Sequence, residues 1–106
     1  MFVNLENEVE FPGGAEAWGN YLRESVKANM PVDEGWKAET YKVMERFVVA
    51  KDGSVSNVIT ENYAGSKTAE MYMDIIKKGP KWLPGKQNDL VVTSIKWQPI
   101  TFVVAE

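Results

Sequence analysis

The chain of 106 residues has room for one domain, and its 44% apolar and 25% charged residues are typical of a folded globular protein. Its net charge of −3, from 12 Lys and Arg against 15 Asp and Glu, makes nucleic acid a poor candidate partner. The chain has no Cys and no His, so thiol chemistry, the commonest general base and the commonest zinc ligand are missing. Serine-triad, zinc-hydrolase and cysteine-protease chemistry in their usual forms are therefore excluded.

Other functional signals are weak as well. No run approaches the roughly 20 apolar residues of a membrane helix, and the first ten residues lack the pattern of a signal peptide. We therefore expect either a cytoplasmic protein or the soluble part of a longer one. The glycines are not spaced as a phosphate-binding loop, so nucleotide hydrolysis is unsupported. With no catalytic residue pattern favoured, we expect a domain that is not an enzyme and uses no cofactor and no metal.

The first part of the chain predicts an arm, a turn and a helix. Residues 1–10 alternate weakly and predict an extended N-terminal arm ahead of a domain over residues 11–106. The FPGG turn at residues 11–14 leads into a helix over residues 15–29 that ends before Pro31. The residues that recur at helical spacing there are Trp18, Tyr21 and Leu22.

Two groups of acids are candidate sites. Glu6, Glu8 and Glu10 share one face of an extended arm and could bind a cation, although a solvated face is favoured. Asp33 and Glu34, near Trp36 in a predicted surface loop over residues 31–39, could be a carboxylate pair for sugar cleavage. Solvated loop acids are again the favoured interpretation.

A β-hairpin is the clearest local pattern. Residues 40–51 alternate as a strand, Asp52-Gly53 is typical of a two-residue turn, and residues 54–62 form the second strand. Glu45 interrupts the apolar face of the first strand. A bulge or a half-exposed position is favoured over a buried, partnered carboxylate, because a buried acid without a partner is costly. The apolar face is predicted to include Tyr41, Val43, Phe47 and Val49.

A second helix, a connector and a final strand follow. Ser66 predicts the N-cap of a helix over residues 67–78, and Gly79, in a left-handed conformation, is expected to end it. In the connector over residues 79–88, Trp82 is predicted to be a core anchor between Pro80 and Pro84. Residues 90–95 and 100–104 are rich in β-branched residues, and Pro99 between them predicts an edge or bulged strand.

The order helix, strand, strand, helix, strand predicts an α+β domain with two helices on one face of a three-stranded antiparallel sheet. An edge strand leaves backbone N–H and C=O groups unpaired, so binding by β-strand addition needs no catalytic residue. The alternative, that Lys96 and Pro99 merely protect the edge, stays open. The interleaved Lys81, Lys86, Lys96, Trp82 and Trp97 resemble a surface for single-stranded nucleic acid only loosely.

Taken together, motifs over residues 9–104 resemble the C-terminal domain of the TonB energy-transducer family, in the form common in Bacteroidetes-type bacteria. They are specific in their order and spacing rather than singly. The motifs are FPGG at 11–14, Trp18, Tyr21-Leu22, PVD at 31–33, Gly35, Tyr41, Val43, FVV at 47–49, KDGSVS at 51–56, IKKGPKW at 76–82, Pro84, Gln87-Asn88 and QPITF at 98–102.

The resemblance implies a periplasmic adaptor, anchored through an inner-membrane helix and a Pro-rich spacer before Met1, that passes energy from inner-membrane motor proteins to outer-membrane TonB-dependent receptors. It implies that a receptor peptide adds as a strand beside residues 91–97. A homodimer formed by strand exchange through the same edge stays open. The implied peptide-binding residues are Val91, Val92, Thr93, Ser94, Ile95, Lys96 and Trp97, and the structural residues are Trp18, Phe47, Gly53, Trp82, Pro84 and Pro99.

Two further functions stay open. One is a stand-alone interaction module or the sensor tail of a membrane metallopeptidase, using the same sheet edge. The other is a small-molecule enzyme, which would need a deep polar pocket with Glu45 and a second carboxylate. In one departure from the family pattern, Asp89 stands where the family usually has Gly.

Overall fold

The computed structural model describes residue 5 and residues 7–105. The rest of the predicted N-terminal arm, including Glu6, lies outside the described residues. The elements in chain order are α1 (Gly14–Ser25), α2 (Met30–Asp33), β1 (Glu39–Val49), β2 (Val55–Thr60), α3 (Lys67–Lys78), β3 (Gly85–Gln87), β4 (Leu90–Val92) and β5 (Ser94–Val104).

The main sheet has three antiparallel strands in the order β2-β1-β5, which confirms the predicted α+β class. β1 and β5 pair in one unbroken register, from Glu39 opposite Val104 to Val49 opposite Ser94. The bulge that Pro99 allowed is absent, because residues 94–104 form one strand along β1. The predicted strand over residues 90–95 is instead divided at Thr93, between β4 and β5. The position of β5 at the end of the sheet confirms the predicted edge strand.

The core lies against one face of this sheet. The predicted alternation in β1 is confirmed, since Val43, Phe47 and Val49 are fully buried. Trp82 is 3% exposed, and its ring centroid lies 5.1 Å from that of Phe47, 5.2 Å from that of Trp18 and 5.3 Å from that of Phe11. We call these four rings the Trp82 cluster. It joins α1, β1 and the connector, as expected for a core anchor.

The region after α1 differs from the prediction. α1 ends at Ser25 rather than at Asn29, and the predicted loop contains the short helix α2, with Pro31 in its first turn. Proline suits that place because the first N–H groups of a helix need no partner within the helix. The predicted helix therefore extended four residues too far, over residues 26–29, which connect α1 to α2.

Glu34 is not the solvated loop acid that the sequence predicted. Its carboxylate accepts hydrogen bonds from the backbone N–H groups of Lys67 (2.6 Å) and Thr68 (3.0 Å), from the Thr68 hydroxyl (2.8 Å) and from the Trp36 indole N–H (3.0 Å). Ser66 also caps α3, as predicted, by accepting from the Ala69 N–H at 3.0 Å. Glu34 thus fixes the α2 region to the first turn of α3.

The hairpin between β1 and β2 is longer than predicted. Ala50 donates its N–H to the Ser54 carbonyl, and only Gly53 within the loop is left-handed, with φ +87°. A three-residue loop with a left-handed glycine replaces the expected two-residue turn. β2 also carries a bulge at Asn57 (φ +51°), which interrupts the alternation of side chains along this strand, and Val58 next to it is buried.

The connector after α3 contains a hairpin that the sequence pattern did not predict. β3 pairs with β4, and the turn between them is Asn88-Asp89, with φ +53° and +62°. Gly79 is extended rather than left-handed, with φ −79°. A Cβ at Gly79 would lie 2.9 Å from the Tyr21 hydroxyl, which donates to the Ile75 carbonyl, so the glycine is needed for this close approach.

The described part of the arm is docked on this connector. Asn7 and Lys86 form one isolated β-bridge, and Glu10 and Leu83 form another. Val9 is 2% exposed and belongs to the core. The arm is extended, as predicted, but it packs more firmly than a loosely docked segment.

We expect Trp82→Ala to lower the free energy of unfolding by about 3–5 kcal/mol, because it empties the centre of the Trp82 cluster. Trp97→Ala is the matched control, since Trp97 is 39% exposed and its loss should cost much less. Denaturant melts of both variants test this. Equal losses for the two tryptophans would contradict the assignment of Trp82 as the core anchor.

We expect Glu34→Ala to destabilise the domain by about 1–3 kcal/mol, because the N–H groups of α3 lose their acceptor. Burial acts to raise the pKa of Glu34, but the bonds from Lys67, Thr68 and Trp36 outweigh it and hold the pKa below 4.5. The contribution is therefore present above pH 4.5 and is lost as the pH falls through the lowered pKa. Asp33→Ala is the control, and thermal melts at pH 7 and at pH 3 measure both effects.

Candidate peptide-binding edge

β5 has a strand partner on one side only. It pairs with β1 over its whole length, and no backbone hydrogen bond joins its other side to any described residue. One edge of this eleven-residue strand is therefore unpaired among the described residues. Such an edge is a template for another extended chain.

The hydrogen bonds of β1 show which residues of β5 point to this edge. Met44 donates its N–H to the Asn62 side chain and accepts from the Glu61 N–H with its carbonyl, so both groups point toward β2. The Lys42 carbonyl also points that way, toward the Asn62 amide. Residues opposite such positions form pairs that share no hydrogen bonds, so their own backbone groups point away from β1. Their partners in β5 are Pro99, opposite Met44, and Thr101, opposite Lys42.

The odd-numbered residues of β5 therefore present their backbone groups to the free edge. Pro99 interrupts the row, because it has no N–H to donate. The Gln98 side-chain amide donates to the Pro99 carbonyl at 3.1 Å. The edge consequently consists of two segments whose backbone can both donate and accept hydrogen bonds. Between them, Pro99 offers only its carbonyl, which is an acceptor. The residues whose backbone groups point to the free edge are Ile95, Trp97, Pro99, Thr101 and Val103.

The implied peptide-binding residues are divided between two sheets. Val91 and Val92 lie in β4 and pair with Lys86 and Gly85, and Thr93 lies between the strands. Ser94 to Trp97 form the first part of β5. Of these, Ile95 and Trp97 have backbone groups at the free edge, whereas those of Ser94 and Lys96 face β1.

The residues implied to be structural also divide by environment. Trp18, Phe47, Gly53 and Trp82 are buried, Pro84 is half-buried in the connector, and Pro99 is exposed on the edge strand.

The odd-numbered side chains lie on the face of the sheet away from the core. Trp97 lies opposite Arg46, and its indole N–H donates to Glu61 at 2.6 Å. Glu61 also forms an ion pair with Arg46 at 3.4 Å. The even-numbered side chains of β5 face the helices, with Ile100 and Val104 buried in the core.

Two clefts border β5 on the helix side. The first, of about 220 Å³, lies against Lys96 and Gln98 and has Phe11, Trp18 and Trp82 in its wall. The second, of about 320 Å³, lies against residues 102–105 and has Val26, Pro31, Val32 and Tyr72 in its wall. We call them the Trp18 cleft and the Phe102 cleft.

Glu45 is buried, contrary to the favoured expectation of a bulge or a half-exposed position. It is 0% exposed and accepts hydrogen bonds from the Thr60 hydroxyl at 2.9 Å. Burial raises its pKa from 4.5 to about 7, against the opposing effects of Thr60 and of the positive charge of Lys77. The partnered, buried carboxylate was the alternative that the sequence left open.

Within residues 5 and 7–105, no group of three or more acidic side chains is placed to hold a metal ion. No helix in the same residues is long and apolar enough to span a membrane. Comparison with protein-family models, with curated proteins and with solved structures finds no match.

Sequence patterns can indicate the turn before β5 but not the direction of the backbone groups along β5. Asn88-Asp89 carries a signal, because Asn and Asp tolerate the left-handed conformation of a tight hairpin turn. The direction of each β5 backbone group depends on its register with β1, which no local pattern contains.

We expect the free energy of unfolding to fall as the pH rises from 5 to 8, and Glu45→Gln to remove much of this fall. The unfolded state releases the Glu45 proton near pH 4.5, whereas the folded state holds it until about pH 7. Stability is therefore lost as the pH rises through 7, by up to about 1.4 kcal/mol per pH unit.

Urea melts at pH 5 and pH 8 measure this difference. Glu24→Gln, at an exposed position of α1, is the control and should leave the pH profile unchanged. Parallel profiles for the wild type and Glu45→Gln would contradict the raised pKa.

Proposed function

We propose that this domain is a peptide-binding adaptor of the TonB type, which binds an extended segment of an outer-membrane receptor by strand addition along the free edge of β5. It acts in the periplasm, without catalysis, and transmits force from the inner-membrane motor through the bound segment. The observation that carries the proposal is the row of unpaired backbone groups along β5.

The rigidity of β5 supports this mechanism. Its other side is held by β1 over all eleven residues, and Ile100 and Val104 anchor it in the core. A strand added to such an edge gains affinity mainly from main-chain hydrogen bonds. A pull along the strand would load several of these bonds together, as a force-transmitting contact requires.

The resemblance in motif order supports the TonB assignment, and the observed element order agrees with the expected α-β-β-α-β order once α2 and the β3–β4 hairpin are set aside. The proposed contact is centred on β5 rather than on residues 91–97. Val91 and Val92 belong to the separate hairpin, so they lie next to this edge and are not part of it.

We expect Thr101→Pro to weaken peptide binding by about tenfold and to leave the fold intact. It removes one outward-pointing donor, whose net value is about 1 kcal/mol, and places a ring at the edge. Pro99 shows that this strand accepts proline at an outward-pointing position. Thr101→Ala is the matched control, because it shortens the side chain and keeps the N–H.

The measurement is calorimetric titration with synthetic peptides from the N-terminal segments of TonB-dependent receptors, with thermal melts of each variant. Backbone NMR shifts should move along Ser94–Val104 and stay constant along Val55–Thr60. Equal affinity for Thr101→Pro and the wild type would rule out strand addition along the segment of the edge that follows Pro99. If peptides bind but the shifts map elsewhere, the adaptor uses another surface.

A further inference from the structure

We propose that the edge of β5 selects its peptide by two apolar side chains, spaced four or six residues apart, that enter the Trp18 cleft and the Phe102 cleft. This inference rests on the proposed function, because it assigns side-chain specificity to the same strand addition. The clefts lie on the helix side of one edge, at opposite ends of β5.

The spacing follows from strand geometry. In a strand added beside β5, a residue directly opposite Gln98 places its side chain on the same face as Gln98, which is the helix side. The same holds for residues opposite Phe102 and Val104. Gln98 borders one cleft, and Phe102 and Val104 border the other. Lys96 borders the Trp18 cleft as well, but Gln98 is the wall residue nearer to the Phe102 cleft along β5. Counted from the residue opposite Gln98, the two cleft-filling residues are therefore four or six positions apart, about 13 or 20 Å along a strand.

Odd spacings do not satisfy both clefts. Side chains alternate between the two faces of a strand, so residues three or five apart point to opposite sides. One of them would lie over Trp97 or Thr101 on the outer face, where it gains little burial. This rule holds for a parallel and for an antiparallel peptide.

The residues in the walls of the two clefts determine which peptide side chains each cleft can accept. The Phe102 cleft has no charged residue among its described lining, and Val26, Pro31, Val32, Tyr72 and Phe102 give it an apolar surface. A large aromatic side chain fits it best, because burial of apolar area supplies the affinity. The smaller Trp18 cleft has an aromatic wall with polar groups at its rim, which suits a Leu- or Met-sized side chain. The rim groups are Glu10, Lys96 and Gln98.

The first test uses synthetic twelve-residue peptides of Ser and Thr that carry one Trp and one Leu, three, four, five or six positions apart, in both orders. Calorimetry should give at least about tenfold tighter binding for spacings four and six than for three and five. Equal affinities at odd and even spacings would overturn the two-cleft inference.

The second test places a charge in one cleft. Val32→Asp changes a residue that is 55% exposed in the wall of the Phe102 cleft, so the fold should be preserved. The matched control is Ile59→Asp, at a 40% exposed position on the outer face of β2. Val32→Asp should abolish the preference for even spacings, and Ile59→Asp should keep it.

Thr101→Pro separates the two proposals. If it weakens binding of these peptides and spacing has no effect, strand addition stands and the two-cleft inference falls. If spacing matters and Thr101→Pro has no effect, the clefts bind a peptide that does not pair with β5, and both proposals are wrong as stated. If none of these designed peptides binds, the two-cleft inference falls, and the titration with receptor peptides decides the proposed function separately.

Discussion

The close contact between Trp82 and the β1–β2 loop holds the parts of this domain together. The Trp82 N–H donates to the Gly53 carbonyl at 2.9 Å, and a Cβ at Gly53 would lie 2.3 Å from the Trp82 carbonyl. The loop therefore needs a glycine both for its left-handed φ and for this approach. The indole ring then brings α1, Phe11 of the turn before it and β1 into one aromatic cluster.

This contact holds the connector in place at Trp82, ahead of the β3–β4 hairpin that leads to β5. The arm pairs with the connector at Leu83 and Lys86, and the β3–β4 hairpin turns the chain back before Ser94. β5 then enters the sheet beside Val49, with its other edge open. The packing of the core thus positions the candidate site, because the binding groups at this edge are backbone groups whose direction follows from the pairing of β5 with β1.

The parts of the fold that sequence predicts well are those set by local periodicity. In β1 and in α3 a single face packs against the core, so the spacing of the apolar residues along the sequence directly indicates which side chains are buried. In α3 these side chains include Ala69, Tyr72 and Ile76. The prediction for Glu34 was wrong for the opposite reason, because its hydrogen-bond partners Lys67 and Thr68 lie 33 and 34 residues further along the chain. Glu45 was ambiguous because nothing near it in sequence indicates that Thr60 lies across the sheet. The edge itself was expected from Pro99, whereas the direction of its backbone groups required the register.

Pro99 also bears on which chains can use this edge. With its N–H missing, the outward row of β5 carries one more carbonyl than amide donor. In two identical copies paired about Pro99, neither Pro99 carbonyl would meet a backbone N–H of the other copy, so the pair would lose two hydrogen bonds of the ladder and each carbonyl would keep only the Gln98 side-chain amide as its donor. A foreign strand can place a flexible residue or a solvated carbonyl at that point. The mismatch therefore favours association with a different chain over edge-to-edge pairing of two like chains about Pro99, and it gives an exposed eleven-residue strand some protection against that pairing.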